Sequence, residues 1–240
     1  MRLSVLTLFP EMFGDFARTS IVGRSIANGI AEFETVQIRD FALDHYKHVD
    51  DTPFGGGAGM VMKCQPVLDA LDSVRTEHMH TVMLAAFGKP YDQQTAHRFA
   101  QMDHLVLLCG HYEGMDARIE ESVDEIISIG DYVLTGGELG AMVICDSVIR
   151  LLDGAIRTES TGEESFENGL LEYPQYTKPA DYKGMKVPDV LVSGNHEKIR
   201  QWRLMQSLVR TRAVRPDLFA RRTLSREEEK LLQKYDEEHS

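Results

Sequence analysis

Residues 128–150 read SIGDYVLTGGELGAMVICDSVIR and join a glycine-rich turn to an almost wholly apolar helix. The isoleucines that lead into the turn are typical of the end of a buried strand. Glycine has no side chain, so its main chain can approach a ligand closely. The stretch therefore predicts a ligand site at the end of a strand. A tight turn packed on a neighbouring helix is the alternative.

The two common nucleotide-binding glycine motifs are absent. A dinucleotide fingerprint would need a glycine at position 134 or 135, where the chain has Leu134 and Thr135. The Gly88-Lys89 pair is followed by Pro90 rather than by the Ser or Thr of a phosphate-binding P-loop. A different ligand is needed to explain the turn.

Composition predicts a soluble globular protein. The 240 residues are 42% hydrophobic and 27% charged, and no stretch is typical of a signal peptide or a membrane span. Cys64, Cys109 and Cys145 are widely separated, which favours reduced thiols in a cytoplasmic protein over zinc ligands. The histidines lack partners at metal-site spacing, so we expect no stable metal site.

Charge is distributed unevenly along the chain. The formal net charge is −12, yet residues 196–222 contain eight basic and two acidic residues, a local charge of +6. Such a basic segment on an acidic protein favours selective docking of a polyanion. A solvated helix face is the alternative.

Short apolar runs alternate with helical patterns in the first half of the chain, which predicts an α/β sheet with largely parallel strands. The predicted strands are 3–8, 34–40, 80–86, 104–110 and 124–130, with helices at 65–75 and 92–101 among them. The turns at Gly88, Gly110 to Gly114 and Gly130 follow strands, so we expect them to converge on one pocket.

The second half has a different organisation. Residues 157–179 are acidic and contain prolines, which indicates a linker or lid. Asn195 is placed to cap a following helix, and Ser225 with Glu228 forms a capping box for the last one. Ile199, Trp202, Met205 and Val209 form an apolar stripe on the first of these helices, leaving arginines on its exposed faces. We expect a small helical domain here.

Two further loops favour function. HVDDTPFGGGAGM at 48–60 places two aspartates beside a run of glycines, whose folding entropy is costly unless something approaches closely. A flexible surface loop is the alternative. CGHYEG at 109–114 follows a buried strand, although Tyr112 could pack on the turn.

In combination and order, these segments resemble the bacterial tRNA (guanine-N1)-methyltransferase family. The motifs are LTLFPEMF, HVDDTPFGGGAGM, CGHYEG, SIGDYVLTGGEL, LLEYPQYTKP and VLVSGNHEKIRQWR, which span essentially the whole chain. The resemblance implies a knotted, parallel-sheet α/β domain of the SPOUT class at 1–158, a linker at 159–178 and a helical tRNA-binding domain at 179–240. It also implies a homodimer with active sites built across the interface.

The implied reaction transfers methyl from S-adenosylmethionine to N1 of the guanosine at tRNA position 37, directly 3′ of the anticodon. The implied cofactor-binding residues are Leu84, Ala85, Ala86, Gly88, Gly110, Tyr112, Glu113, Gly114, Ser128, Ile129, Gly130, Asp131, Tyr132, Val133, Leu134, Gly136 and Gly137. The expected tRNA-binding residues are Asp50, Gly55, Gly56, Gly57, Arg203 and Arg210.

Guanine N1 carries a proton at neutral pH, so its methylation requires a general base. The family has an aspartate directly before Ser-Phe in the linker, whereas this chain has Glu163-Glu164-Ser165-Phe166. The resemblance thus implies Glu164 as the base, with Glu163 as a possible substitute. Arg150 matches an arginine near the reaction centre that could stabilise charge on guanine O6. Alternatively, Arg150 complements the helix dipole.

Two other functions remain open at the level of sequence. A related knotted enzyme could methylate a ribose 2′-oxygen. The glutamate at the position of the base also leaves open a non-catalytic RNA-binding protein that kept the cofactor pocket.

Overall fold

The computed structural model describes residues 1–156 and 164–239. Contacts divide the chain into two compact units, Met1–Arg157 and Thr158–Ser240. No helix in the described parts of the chain is both long and apolar enough to cross a membrane.

Strands and helices alternate through the N-terminal unit. In chain order they are β1 Arg2–Thr7, α1 Ser20–Ala27, β2 Glu32–Gln37, β3 Asp50–Asp51, β4 Val61–Met62, α2 Cys64–Ser73, β5 Met79–Pro90, α3 Gln93–Ala100, β6 His104–Cys109, β7 Glu125–Ser128 and α4 Glu138–Ile149. Short 3₁₀ helices occupy Pro10–Phe13, Phe16–Arg18, Ile38–Phe41 and Ala117–Ser122.

The main sheet has five strands in the order β2-β1-β6-β5-β7, and all neighbouring pairs are parallel. This confirms the predicted α/β class and parallel strands. Strand β2 ends at Gln37 instead of residue 40, and β5 extends to Pro90 instead of ending at residue 86. Its register against β7 shifts between Leu84 and Lys89, after which the chain pairs with the same strand again.

Helices cover both faces of the sheet. Alternate residues of β1 and β6, such as Leu3 and Leu105, pack in one apolar cluster with Ile144 of α4. Residues of opposite parity, such as Leu6, pack in a second cluster with α2. Strands buried on both faces are almost wholly apolar, which explains why the strand runs were readable in the sequence.

The apolar helix α4 has one side buried in the core and another side that is partly exposed to solvent. Ile144, Cys145 and Val148 are completely buried in the core of the unit. Leu139 and Val143, one turn apart on another side of the helix, remain 50% and 47% exposed. Helix α4 therefore carries more apolar residues than the core of the N-terminal unit buries.

The C-terminal unit contains β8 Asp181–Tyr182, β9 Met185–Lys186, α5 Asp189–Val192, α6 His196–Val214, α7 Pro216–Ala220 and α8 Arg226–His239. The side chain of Asn195 caps α6 by accepting a 3.0 Å hydrogen bond from the amide of Lys198. The Ser225 amide donates to the Glu228 carboxylate at 2.8 Å, and the Glu228 amide donates to Ser225 Oγ at 3.3 Å. Both predicted caps are confirmed.

The buried side of α6 differs from the predicted stripe. Ser207, Leu208 and Thr211 are its buried residues, and Leu208 packs in a small core with Leu170 and Leu232. Thr211 is buried at low cost because its hydroxyl accepts a 2.8 Å bond from the Leu171 amide and donates to the Ser207 carbonyl at 2.7 Å. The prediction counted apolar residues alone and so missed this polar contact.

Candidate functional site

A cavity of about 310 Å³ lies at the carboxyl ends of β5, β6 and β7. Its walls come from the turns that follow β6 and β7 and from residues 83–87 within β5, at the edge of the sheet where ligands of parallel sheets typically bind. Of the residues expected to bind cofactor, these line it: Leu84, Ala85, Ala86, Gly110, Tyr112, Glu113, Gly114, Ser128, Ile129, Gly130, Tyr132, Val133, Leu134, Gly136 and Gly137. Two of the three predicted turns, those at Gly110 to Gly114 and at Gly130, therefore meet at one pocket, whereas the predicted turn at Gly88 is part of β5.

Gly88 and Asp131 do not line this cavity. A Cβ atom on Gly88 would lie 2.5 Å from the carbonyl carbon of Ile127, so this glycine permits the second part of β5 to pack on β7. Asp131 is exposed on the turn. The structural reason for Gly88 is thus close packing of main chain, and not approach of a ligand.

The Gly136-Gly137 pair is packed tightly as well as facing the cavity. A Cβ on Gly137 would lie 2.8 Å from Cys109 Cα at the end of β6. A Cβ on Gly136 would lie 2.2 Å from the His111 imidazole and 2.6 Å from the Glu138 carboxylate. The sequence offered a packed turn and a ligand site as alternatives, but the same two glycines are both tightly packed and part of the cavity wall.

Tyr112 adopts an uncommon backbone conformation at the cavity wall. Its φ is 61°, in the left-handed region that side-chain-bearing residues rarely occupy, and its side chain is 47% exposed. Such strain concentrates at functional sites because the surrounding structure must hold it in place. Here the amides of Glu113 and Gly114, next along the chain, donate to the carbonyls of Met60 and His111 at 3.0 and 3.1 Å.

The second glycine loop forms a hairpin attached to that wall. Asp50 and Asp51 pair in antiparallel fashion with β4, and the Met62 amide donates to the Gly114 carbonyl at 2.9 Å. Gly59 lies against the side chain of Glu113, where a Cβ would approach to 2.4 Å. The hairpin and the cavity wall are therefore one connected structure.

The tip of this hairpin has a different reason for its glycines. Gly55, Gly56 and Gly57 have φ values of 87°, 79° and 136°. A Cβ on Gly55 or Gly56 would meet no atom within 4 Å. Backbone conformation requires glycine here, and the exposed tip leaves open space above it.

A buried polar network beside the cavity was not predicted from the sequence. Thr7 Oγ1 donates to Glu138 Oε1 at 2.6 Å, and His111 Nε2 lies 2.7 Å from Glu138 Oε2. Glu138 is 2% exposed and begins α4, where the helix dipole favours a negative charge. His111 itself lines the cavity. A lone glutamate at the start of an apolar helix, directly after Gly-Gly, was the available signal.

Arg150 lies at the other end of α4. It is half-buried at the C-terminal cap, where its amide donates to the Asp146 carbonyl at 3.1 Å. The helix has 12 residues, a length of roughly 18 Å. Within one chain, Arg150 is therefore separated from the cavity residues at the start of α4.

Glu164 is half-buried and belongs to the C-terminal unit. Its carbonyl accepts a hydrogen bond from the Glu167 amide at 3.4 Å. Glu163, the other candidate base, lies outside the described residues.

The two arginines expected to bind RNA have defined neighbours. The Arg203 guanidinium lies 4.7 Å from the centre of the Tyr173 ring, a cation–π arrangement. Arg210 is exposed, and its Nη1 donates to the carbonyl of Glu172 at 2.9 Å. Arg210 thus holds the segment that carries Tyr173 against α6.

Acidic residues of α8 reduce the predicted basic character of this unit. Arg212 pairs with Asp236 at 2.6 Å, Arg222 pairs with Glu228 at 2.5 Å, and Arg200 pairs with both Glu197 and Glu227. The local charge of +6 was counted only to Arg222, whereas most of these acids follow it in sequence. In the folded C-terminal unit, acidic residues of α8 therefore offset much of the positive charge that residues 196–222 carry in the sequence.

Other groups show no sign of nucleophilic or metal chemistry in the described ranges. Burial raises the pKa of the Cys109 thiol well above its usual value, and the pKa of Cys145 is raised for the same reason. Within residues 1–156 and 164–239, no group of three or more His, Cys, Asp or Glu side chains is placed to hold a metal ion. The absence of a stable metal remains a prediction.

Comparisons with known proteins identify the family. Residues 1–221 match the family model described as tRNA (Guanine-1)-methyltransferase TrmD. A tRNA (guanine-N(1)-)-methyltransferase of Ruminiclostridium cellulolyticum is 56% identical over 225 residues, which cover 91% of this chain and 96% of the relative.

Two further relatives carry the same name. A Clostridium botulinum protein is 51% identical over 238 residues, covering 98% of this chain and 99% of the relative. A Limosilactobacillus fermentum protein is 49% identical over 240 residues, covering 97% and 95%. Matches of this extent show that the chain belongs to the tRNA (guanine-1)-methyltransferase family.

Proposed function

We propose that the protein methylates N1 of the guanosine at tRNA position 37, directly 3′ of the anticodon, with S-adenosylmethionine as methyl donor. Membership of the tRNA (guanine-1)-methyltransferase family supports the reaction. The observation that carries the proposal is the cavity where the glycine-containing turns after β6 and β7 meet residues 83–87 of β5.

The cavity residues fit S-adenosylmethionine. A volume of about 310 Å³ lies at the lower end of the range for small-molecule sites. Leu84, Ile129 and Leu134 offer apolar surface for an adenine ring, while Gly110 and Gly130, which have no side chain, bring main chain to the cavity wall. Bound there, S-adenosylmethionine supplies an electrophilic methyl group on a sulfonium.

The protein must remove the N1 proton of guanine. We assign this role to the Glu164 carboxylate, which would accept the proton as N1 becomes nucleophilic. Negative charge then develops on guanine O6, and the Arg150 guanidinium would stabilise it. Asp50 and the glycine tip at Gly55 to Gly57 would hold the guanine after it leaves the base stack.

A homodimer with composite active sites accommodates these assignments. Arg150 lies at the C-terminal end of α4 and the cavity at its N-terminal end, and the helix is roughly 18 Å long. Exposed Leu139 and Val143 provide apolar surface on the same helix for contact with a second copy. We therefore propose that the partner subunit supplies Arg150 to each cavity.

We further propose the SPOUT knot for residues 1–158 and a tRNA-binding role for 179–240, joined by the linker 159–178. The knot is supported by the close main-chain packing of Gly88 on Ile127 and of Gly137 on Cys109, because a knotted chain must pass very near neighbouring strand ends. The helices and arginines of the C-terminal unit support the RNA role. A tRNA substrate also supports a cytoplasmic location.

Single-turnover methyl transfer to unmodified tRNA tests this function. The wild-type protein should produce 1-methylguanosine, identified by nuclease digestion and mass spectrometry. Methyl on a ribose 2′-oxygen, or no transfer, would reject the proposal in favour of one of its alternatives.

The role of Glu164 has its own test. Glu164→Ala should lower the rate of transfer by about 10²- to 10⁴-fold, the usual contribution of a general base, with cofactor affinity unchanged. Glu167→Ala removes a neighbouring carboxylate as the matched control and should retain the wild-type rate. An unaffected rate in Glu164→Ala would redirect the assignment to Glu163.

A further inference from the structure

The C-terminal unit contains a second cavity, separate from the glycine-lined one. It has a volume of about 420 Å³ and lies between α6 and the segment that precedes it. Leu170 and Ser207, which are 1% and 7% exposed, form its deepest part. Its other lining residues are Asn168, Tyr173, His196, Ile199, Arg200, Arg203 and Leu204.

The wall that carries Tyr173 is held firmly against α6. The Leu171 amide donates to Thr211 Oγ1 at 2.8 Å, and the Glu172 carbonyl accepts from Arg210 Nη1 at 2.9 Å. The Glu172 amide also donates to Ser165 Oγ at 3.0 Å. Binding here would require little ordering of the protein, which favours affinity.

The chemistry of the lining suits a flat, unsaturated ligand. The Tyr173 ring and the Arg203 guanidinium lie 4.7 Å apart and provide two planar groups. Ile199 and Leu204 add apolar surface, while Asn168 and His196 place polar groups at the exposed rim. Proteins bind unpaired RNA bases with this combination of aromatic and arginine planes and polar edges.

Charge favours a nucleobase over a phosphate as the group that enters. Arg200 at the cavity is already paired with Glu197 and Glu227, so it contributes little net positive charge. Phosphate sites usually concentrate uncompensated cations. On the side of Arg200 the cavity is instead nearly balanced in charge.

We propose that this cavity binds an unpaired nucleotide of the RNA substrate by stacking its base beside Tyr173 and Arg203. The proposal rests on the proposed function, because it assumes an RNA substrate with unstacked bases. It adds a defined base-binding site to a unit otherwise expected to contact phosphates.

Replacement of Tyr173 tests the site in the full-length protein. Tyr173→Leu should weaken binding of a short fluorescein-labelled single-stranded RNA by roughly five- to a hundredfold, the loss expected for one stacked base. Tyr173→Phe keeps the ring and should bind like the wild type. Tyr182→Leu removes an exposed tyrosine elsewhere in the same unit and is the matched control.

The salt dependence of RNA binding separates a base from a phosphate. Loss of a stacked base should leave the slope of log affinity against log salt unchanged, whereas loss of a phosphate contact reduces it. A reduced slope in Tyr173→Leu, or unchanged affinity in a variant with normal thermal unfolding, would overturn the proposal. So would a Tyr173→Leu variant that loses dimerisation, since that result assigns the cavity to a second copy.

Photocrosslinking gives a readout that does not depend on a substitution. RNA containing 4-thiouridine should crosslink to peptides that include residues 168–173 or 199–207. A crosslink confined to other peptides would contradict the site. If the wild type binds RNA through this cavity but makes no 1-methylguanosine, the proposed reaction fails while the base-binding site stands.

Discussion

Strands β1 and β6 carry a histidine–glutamate network at each end of the sheet, and the two networks differ in their surroundings. At the amino end, His104 contacts Ser4 Oγ through Nε2 at 2.8 Å and Thr76 Oγ1 through Nδ1 at 2.9 Å. At the carboxyl end, His111 contacts Glu138, which is 2% exposed. A histidine and a glutamate therefore take part in a hydrogen-bond network at both ends of the sheet, and the surroundings of the two networks differ.

The amino-terminal network is complete within itself. Ser4 donates to Glu34, whose carboxylate also accepts from Arg2 at 2.6 Å. Because the Ser4 proton goes to Glu34, His104 Nε2 must donate to Ser4 and Nδ1 must accept from Thr76. A neutral His104 satisfies every one of these bonds.

The carboxyl-terminal network has a side that faces the cavity. His111 lines the cavity, and Gly136 packs against both His111 and Glu138. We therefore expect the first network to affect stability alone and the second to affect both stability and ligand binding.

The largest expected effect is that of Glu138→Ala. It removes the acceptor for Thr7 and His111 in a buried site, which should cost about 3 kcal/mol of unfolding free energy and weaken S-adenosylmethionine binding at least tenfold. Chemical denaturation and isothermal titration calorimetry measure the two quantities.

Glu34→Ala is the matched change at the amino end. Glu34 is more exposed, with 39% of its side chain accessible, so its loss should cost about 1 kcal/mol or less. Cofactor affinity should not change. Equal losses of affinity in the two variants would show that the ends of the sheet do not differ as we infer.

Gly136→Ala should have the next largest effect. The added methyl group would displace the His111 ring or the Glu138 carboxylate, at a cost of about 2 kcal/mol. Gly14→Ala is the control, since its Cβ would lie 3.4 Å from the nearest atom at an ordinary φ of −58°. Thermal unfolding with and without cofactor distinguishes the two variants, and tolerance of Ala at position 136 would contradict the packing.

A smaller effect is expected from pH. Burial lowers the pKa of His104 from its usual 6.5, and the nearby Arg2 lowers it further. Below about pH 6.5, His104 therefore binds a proton in the unfolded chain but not in the folded protein. The free energy of unfolding consequently decreases as the pH is lowered, by at most about 1.4 kcal/mol per pH unit.

Urea denaturation across a pH series measures this slope. His104→Gln should flatten it between pH 6.5 and 5, and the exposed His45→Gln should not. Burial raises the pKa of Glu34, but hydrogen bonds from Ser4 and Arg2 outweigh burial and lower it. Glu34 therefore adds a separate loss of stability below about pH 4.5. An unchanged slope in His104→Gln would assign the acid sensitivity elsewhere.

Ser4→Ala should have the smallest effect, about 1 kcal/mol, which is the lower end of the cost of leaving a buried donor, here His104 Nε2, without an acceptor. It removes one hydroxyl that connects His104 with Glu34, while Arg2 still pairs with Glu34. Differential scanning calorimetry should show a shift of about 2–4 °C or less, with unchanged cofactor affinity. A larger shift would mean that the amino-terminal network acts as one unit.

The sheet and the glycine turns after β6 and β7 could be read from the sequence because they depend on local patterns, whereas the turn predicted at Gly88 is part of β5. Fully apolar strands such as β6 stand out in a parallel sheet, and glycines mark the turns that follow them. The Thr7–Glu138 contact could not be read in this way, since 131 positions separate the two residues. Such a pair is brought together by the order of strands, which local patterns do not encode.

The C-terminal unit shows the same limit for charge and burial. Asp236 and Glu228 neutralise arginines of the basic segment, although they come later in the chain. The apolar stripe predicted on α6 holds for Val209, which packs against the core, but it missed Ser207 and Thr211, because a buried threonine can satisfy its hydroxyl against the main chain. Caps, by contrast, depend on residues three apart, and both predicted caps are confirmed.

The attachment of the β3–β4 hairpin to the cavity wall has a thermodynamic consequence. Hydrogen bonds from the Glu113 amide to the Met60 carbonyl and from the Met62 amide to the Gly114 carbonyl join the β3–β4 hairpin, which we propose holds the guanine, to the wall of the proposed cofactor cavity. If a bound cofactor orders this wall, it also orders the hairpin for RNA. Linkage then requires RNA to raise the affinity for cofactor by the same factor, so that each ligand prepares the site for the other.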